Sequence, residues 1–405
     1  MDLNRAALNS SKVKELLQTK IDVLITIPAF GNEIAYYLAM KTNASLVPFI
    51  TASNSFPNIN FDMGDPYNPS YMPNPILGYT QRMTFGQRLV NTFVTTVYLV
   101  IRQVYILPEA EKLLHGAFPD DEIPRLSELG KNSALFINHG TPFTGDGLRP
   151  TMPKTIMAGL MSCSPVKPLQ DDLESFIQNS KDGVIFVSFG SVLKASKMPE
   201  SKRVMMLSVF SKLKQRVIWK WETDMEDAPA NVMLSSWLPQ TSLLAHPNVK
   251  LFITHGGAGS IQETICHKTP IVGVPINGDQ IVNVKEAVNK QIGVHVNWYE
   301  MTEEILADAI NQVLDDSSFQ TSVTNLSDLI MDQPQHPLDR SIWWLEYLLR
   351  HPHNPDMRPV THDLYWFQYF LIDVMLFFLI IIIIIVSVVY KLIKYCCCRT
   401  KSKQD

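Results

Sequence analysis

Cysteine is scarce in this chain. There are five among 405 residues, and three of them, Cys396, Cys397 and Cys398, are adjacent. Adjacent cysteines cannot all staple a fold, so only Cys163 and Cys266 are left in the body and a disulfide scaffold is excluded. A core free of cross-links is expected, and the chain is long enough to build one. A surplus of positive charge is lacking too. The 35 Lys and Arg stand against 39 Asp and Glu, for a net charge of -4, which removes the electrostatic ground for nucleic-acid binding. Charged residues make up 18% of the chain against 46% hydrophobic, the inverse of a disordered protein. No carboxylate or histidine cluster has metal-ligand spacing, and no internal repeat is visible. The first twenty residues hold no apolar run, because Asp2, Arg5, Lys12, Lys14, Glu15 and Lys20 interrupt them. No secretory signal is written there. The segment reads as an amphipathic helix followed by a strand, Val23 to Ile27. Either the body is cytosolic or the chain has lost its beginning.

A long apolar run is present at the other end. From Leu364 to Tyr390 the only charge is Asp373, and six consecutive isoleucines, Ile380 to Ile385, lie within it. At ~1.5 Å per residue the stretch from Val374 to Tyr390 reaches ~26 Å, and its aromatic flank extends it to the ~30 Å of a bilayer core. Tyr365, Trp366, Phe367, Tyr369 and Phe370 stand where an interfacial aromatic belt belongs. Lys391, Lys394, Arg399, Lys401 and Lys403 follow, so the tail is expected in the cytosol and the body on the other side. Membrane lipid is thus an expected partner. Lys401 and Lys403 match the KxKxx form of the dilysine signal for retrieval to the endoplasmic reticulum, unless the spacing is chance. The cysteine triplet is either a palmitoylation site or a polarisable patch at the interface. Asn9, Asn43 and Asn325 head N-x-S/T sequons, which matter only if the body is lumenal.

Between the ends the pattern changes once. Residues 1–155 mix a strand, helices and Pro- and Asn-rich loops; Asn58 to Pro75 carries four prolines and reads as an irregular segment outside the core. Phe85 to Leu107 reads as a long helix, either a plain core helix or the lining of an apolar cavity. Pro165 to Pro168 looks like a semi-rigid linker. Beyond it, short apolar strands at Val184–Ser188, Val217–Lys220, Val232–Leu234, Leu251–Thr254 and Ile271–Val274 alternate with helices such as Ser201–Lys214 and Ser260–His267. That alternation marks a parallel α/β domain. A helix from Arg340 to Arg350 precedes the span.

In such sheets ligands bind beyond the carboxyl ends of the strands, and the unusual residues fall there. After strand Leu251–Thr254 comes His255-Gly256-Gly257-Ala258-Gly259-Ser260-Ile261-Gln262-Glu263. Glycines between a strand end and a helix start let backbone N–H groups approach an anion, which the helix dipole favours. His255 adds a donor there, and Glu263, eight residues on, can accept from a ribose diol. The pattern is not the dinucleotide fingerprint, whose third glycine is replaced by Gln262. Trp237 offers a stacking face and Gln240 an amide that both donates and accepts. Asp279 and Gln280 follow strand Ile271–Val274, suited to vicinal sugar hydroxyls, and Ser191 ends the first strand with donors for phosphate. Four such clusters in one domain describe a site for a nucleoside diphosphate carrying a sugar.

These residues resemble the UDP-glycosyltransferases, the membrane-bound group that includes the animal UDP-glucuronosyltransferases. Trp237, Gln240, His255-Gly256-Gly257, Glu263, Pro270, Pro275 and Asp279-Gln280 carry the resemblance, with Met83-Thr84-Phe85, Lys167-Pro168-Leu169 and His362 to Tyr369 outside them. It implies an α/β fold of two facing Rossmann-like domains (GT-B type), the first incomplete, plus a C-terminal transmembrane helix. The boundaries expected are an acceptor-binding domain at 1–163, a UDP-sugar-binding domain at 164–332, a return helix and linker at 333–363, the span at 364–390 and a basic tail at 391–405. It further implies metal-independent, inverting transfer to a hydroxyl of small lipophilic acceptors, with UDP-sugar as co-substrate and no cofactor. Trp237 is assigned to uracil, Gln240 and Glu263 to ribose, His255, Ser260 and Ser191 with Gly256 and Gly257 to the diphosphate, and Asp279 and Gln280 to the sugar. Gly259 replaces a family Asn, a departure that bears on one phosphate contact. The family's base is a His upstream of this sequence, and its partner Asp aligns with Ile27. Glu33 and His139 are the nearby alternatives, His139 reading better as structural or solvent-exposed. A rival expectation is a truncated, non-catalytic nucleotide-sugar-binding membrane protein, or a partner of a full-length relative; homo- or hetero-oligomers stay open. A further rival is a tail-anchored protein facing the cytosol.

Overall fold

The computed structural model describes residues 2–28, 31–50, 56–141, 149–191, 194–351 and 357–401. They form two compact units, Met1–Pro355 and Asp356–Asp405. The first unit carries two parallel sheets. Strands β1 (Val23–Thr26), β2 (Ser45–Ile50), β3 (Phe136–Asn138) and β4 (Thr155–Met157) pair in chain order. Strands β5 (Val184–Ser188), β6 (Arg216–Lys220), β7 (Val232–Ser235), β8 (Val249–Thr254), β9 (Ile271–Gly273) and β10 (Gly293–His295) pair in the order β10-β9-β8-β5-β6-β7.

The second sheet is a six-stranded parallel sheet buried on both faces, which is why its strands read as continuous apolar runs. Every residue of β5 is buried. Successive side chains alternate across the sheet: Ile185 and Val187 join Val217, Trp219, Leu251 and Phe210 on one face. Val184 and Phe186 join Ile218, Phe252 and Leu173 on the other, where the Phe186 and Phe252 rings stack at 4.9 Å. From β5 the chain builds outward through β6 and β7, then returns to β8 on the other side of β5. The order of the sheet reverses there. Such a reversal opens a crevice at the carboxyl ends of β5 and β8.

Several expectations are corrected. The first twenty residues form two short helices, Asp2–Leu8 and Ser11–Leu16, because Ser10 accepts the Val13 N–H and restarts the chain as an N-cap. The Pro-rich segment after Asn58 is core: Ile59 and Met63 of helix Pro57–Met63 are fully buried. The body is cross-linked after all, since Cys163 and Cys266 form a disulfide with Cα atoms 5.6 Å apart. Helix Phe85–Ile101 runs through a π-helical segment, Arg102–Ile106, into Leu107–Ala117. It is no ordinary core helix, because the residues it buries are Asn91, Thr95 and Arg102.

In the second unit, Leu371 adopts φ +54° and separates a short helix, Trp366–Tyr369, from Ile372–Lys401. The candidate span therefore starts later than the apolar run does. Its stretch Ile372–Lys394 has the length and composition to cross a bilayer. Lys403 lies outside the described residues.

Candidate functional site

A cleft of ≈ 1210 Å³ lies where the strand ends of the two sheets meet, with Ile27, Ile50, Phe56, Pro75 and Ile76 on one side. Nine of the ten residues assigned from sequence line it: Ser191, Trp237, Gln240, His255, Gly257, Ser260, Glu263, Asp279 and Gln280. They come from four separate strand ends, those of β5, β7, β8 and β9, so only the assembled sheet brings them together.

Glu263 is already oriented. Its carboxylate accepts from Thr241 Oγ1 at 2.6 Å and from Gln240 Nε2, and the same Gln240 nitrogen donates to Ser260 Oγ at 3.2 Å. Trp237 stands 75% exposed above this network, an indole face open to solvent. Lys220 Nζ lies 5.4 Å from its ring centroid and donates to the Gly190 carbonyl at 2.7 Å. Lys220 is a lining cation that the motif reading missed, although its position at the carboxyl end of β6 follows the same rule.

His255 is gripped by two glycines. A Cβ on Gly190 would stand 2.8 Å from its Cε1, and one on Gly257 would stand 2.6 Å from its Nε2. Burial, more than its neighbours, pushes the imidazole below its usual pKa; Asp279 opposes that shift and Lys220 adds to it. The ring is therefore neutral at pH 7 and presents one N–H. Gly257 opens helix Ala258–Cys266, and no side chain among the described residues caps that end. Free N–H groups at such an end attract anions.

Two assigned residues do different work. Gly256 is buried behind the cleft: its N–H donates to Thr254 Oγ1 at 3.2 Å and its carbonyl accepts from Asn283 at 3.0 Å. At φ +81° it shapes the turn. Gln280 lines the cleft but commits its amide oxygen to the N–H groups of Ile276 and Asn277, at 2.9 and 3.1 Å. Asp279, held by Asn283 Nδ2 at 2.8 Å, is the freer of the pair.

The two alternatives for a base both lie outside the lining. Glu33 is buried against Arg102 at 3.3 Å. His139 is buried too, its Nε2 accepting the Ser162 N–H at 3.2 Å. Ile27 does line the cleft, and among the described lining residues His255 is the only imidazole. No group of three or more His, Cys, Asp and Glu among the described residues is placed to hold a metal.

A family model described as "UDP-glucoronosyl and UDP-glucosyl transferase" matches residues 4–405. The chain belongs to the UDP-glycosyltransferase family. It is thereby a glycosyltransferase, of a family that moves sugar from a UDP-sugar. The UDP-glycosyltransferase UGT5 of Dactylopius coccus is 33% identical over 388 residues, covering 94% of this chain and 73% of the relative. UDP-glucuronosyltransferase 1A1 of Homo sapiens is 32% identical over 392 residues, covering 96% and 71%. Among solved structures, the glycotransferase of kitacinnamycin aligns with a TM-score of 0.56 at 17% identity, over 85% of this chain and 82% of that one. Spinosyn forosaminyltransferase SpnP gives 0.55 at 15%, over 85% and 81%. These likenesses establish the GT-B fold of this UDP-glycosyltransferase.

Proposed function

We propose that the cleft holds a UDP-sugar with uracil against Trp237, ribose on Glu263 and Gln240, diphosphate before helix Ala258–Cys266 and sugar beside Asp279. The observation that carries this reading is the Gln240–Glu263–Thr241 network, a carboxylate held at the cleft wall between a stacking face and a helix start. In this reading 164–332 is the donor domain and 1–163 faces the acceptor. The apolar wall of Ile27, Ile50, Phe56 and Ile76 suits a small lipophilic acceptor, whose hydroxyl oxygen bonds to the anomeric carbon with inversion as the bond to the phosphate breaks, UDP leaving towards the helix and the hydroxyl proton passing to water. The donor set supports transfer without a metal, since the helix start and Lys220 offset the charge of the diphosphate and His255 offers it an N–H. The deciding experiment is titration of the full chain in detergent with UDP, with a chelator present. Wild type should bind, and Trp237→Ala should lose ~1–3 kcal/mol of stacking. An unchanged Kd in the variant would remove uracil from that position.

The same reading places the span in the membrane of the endoplasmic reticulum with the basic tail cytosolic. The Cys163–Cys266 disulfide supports a lumenal body, because such bonds persist in oxidising compartments.

A further inference from the structure

The apolar side of the cleft is joined to its polar side by a single turn. Pro75 and Ile76 line the cleft beside Ile27 and Ile50. They belong to a 3₁₀ turn, Pro75–Leu77, which Asn74 caps by accepting the Ile76 N–H at 3.1 Å. Asn74 is fully buried, and none of its polar groups is idle. Its own N–H donates to Asn91 Oδ1 at 2.7 Å, its Nδ2 donates to Thr95 Oγ1 at 3.3 Å, and its carbonyl accepts the Leu77 N–H at 3.0 Å. Asn91 Nδ2 donates in turn to the Pro69 and Met72 carbonyls, at 2.7 and 3.0 Å. One end of the turn is thus fastened to helix Phe85–Ile101, which carries Asn91 and Thr95.

The other end reaches the opposite side of the cleft. Gly78 closes the turn at φ +64°, a left-handed conformation that glycine adopts without strain. Gly78 is buried, and its carbonyl accepts Lys285 Nζ at 2.9 Å. A Cβ at Gly78 would stand 3.4 Å from Ile281 Cγ2. Ile281 and Lys285 lie one turn apart on the same face of helix Gln280–Asn289, so they meet Gly78 together. That helix starts directly after Asp279, the residue proposed to lie beside the sugar. Ile281 lines the cleft, whereas Lys285 stands outside the lining. Ile76 is 63% exposed, so little packing of its own holds it. The two fastened ends of the turn decide where it stands.

We propose that Lys285 is a positioning residue for the acceptor: by holding Gly78 it sets how far Pro75 and Ile76 project into the cleft, and so fixes the apolar wall against which the acceptor packs. This rests on reading that wall as the acceptor side. A side chain of the 164–332 segment, outside the lining, thereby governs affinity for the acceptor and not for UDP. A hydrogen bond from a charged group is stronger than a neutral one, and loss of the ammonium leaves a buried carbonyl without its donor. The Asn74 end of the turn would stay fastened while the Gly78 end came free.

The test is ligand binding by the full chain in detergent, with UDP alone and with the phenol 4-methylumbelliferone at saturating UDP. Wild type, Lys285→Met and Lys285→Arg are compared. Methionine keeps an unbranched apolar stem and removes the charge and its N–H groups, whereas arginine keeps both and reaches as far. Lys285→Met should weaken the phenol about tenfold, the size of a lost hydrogen bond to a charged group, and leave the Kd for UDP unchanged. Lys285→Arg should retain most of the phenol affinity. Hydrogen exchange supplies a check without ligand. The Ile76 and Leu77 amides, both bonded to Asn74, should exchange faster in Lys285→Met, while those of Val184–Ser188 keep their rates. An unchanged phenol Kd in Lys285→Met would overturn the proposal even if those amides exchange faster. Parallel losses for UDP and the phenol would overturn it too, since they would report a general loosening of the fold. Wild type that binds UDP but not the phenol would sink the acceptor reading of the wall and this proposal with it, whatever the variants do.

Discussion

His255 shows how much one side chain depends on its frame. Gly190 and Gly257 leave room for the ring on two sides, and burial keeps it neutral at pH 7. His255→Ala should weaken UDP by about tenfold, as for a hydrogen bond to a charged group, and leave uridine nearly unchanged. Calorimetry with both ligands checks this, and equal losses would refute the phosphate contact. The pH dependence has a defined sign. Protonation adds charge facing the diphosphate, and burial holds the imidazole below its usual pKa, so the ratio of wild-type to variant affinity should grow only once pH falls beneath the usual imidazole range. The imidazole was legible in the sequence because a strand end, glycines and a helix start surround it. The partitioning of Asp279 from Gln280 was not legible, because it turns on which backbone N–H groups the Gln280 amide meets. Gly256 was grouped with its neighbours for the same reason, as only its dihedral and Asn283 show that it faces inward.

At the scale of elements, the six-stranded sheet could be read directly and the four-stranded sheet could not. Parallel strands buried on both faces write apolar runs, and five of six were visible; β10 is three residues long and carries His295. In the other sheet β3 and β4 are equally short, and Pro48 interrupts the run of β2. Helix Phe85–Ile101 was visible as a helix, but its facing was not, because no local rule anticipates a buried arginine. Arg102 bridges Asp62 at 2.7 Å and Glu33 at 3.3 Å, and Tyr36 donates to Asp62 at 3.0 Å. Arg102→Met should cost ~3–5 kcal/mol of stability, because it strands two buried carboxylates; chemical unfolding measures it. The disulfide is a second element-scale device. Cys163→Ser should cost ~2–4 kcal/mol in the same assay, the usual value for a bond closing a long loop. A loss within error would mean that the bridge is unformed.

At the scale of the whole molecule, the candidate span Ile372–Lys394 makes the side of the membrane on which the body lies a separate prediction. Asn43 and Asn325 are exposed, Asn43 at the turn before β2 and Asn325 on helix Ser317–Met331. If the body is lumenal, expression in an animal cell should yield a product whose mobility rises after glycosidase treatment, and Asn43→Gln with Asn325→Gln should reduce that shift. A chain insensitive to the enzyme would favour the cytosol-facing arrangement. The disulfide bears on integrity as well as on stability. It joins residues 103 apart, and the loop it closes contains β5 to β8 together with Ser191, Trp237, Gln240, His255 and Glu263. Most of the proposed donor site thus sits on a covalent ring. A protease that cuts once inside it, for instance in the 222–231 turn between β6 and β7, opens the ring without releasing a fragment. Nicked protein would run as one band until a reductant is added, and would keep the residues proposed for uracil and for diphosphate on a single molecule.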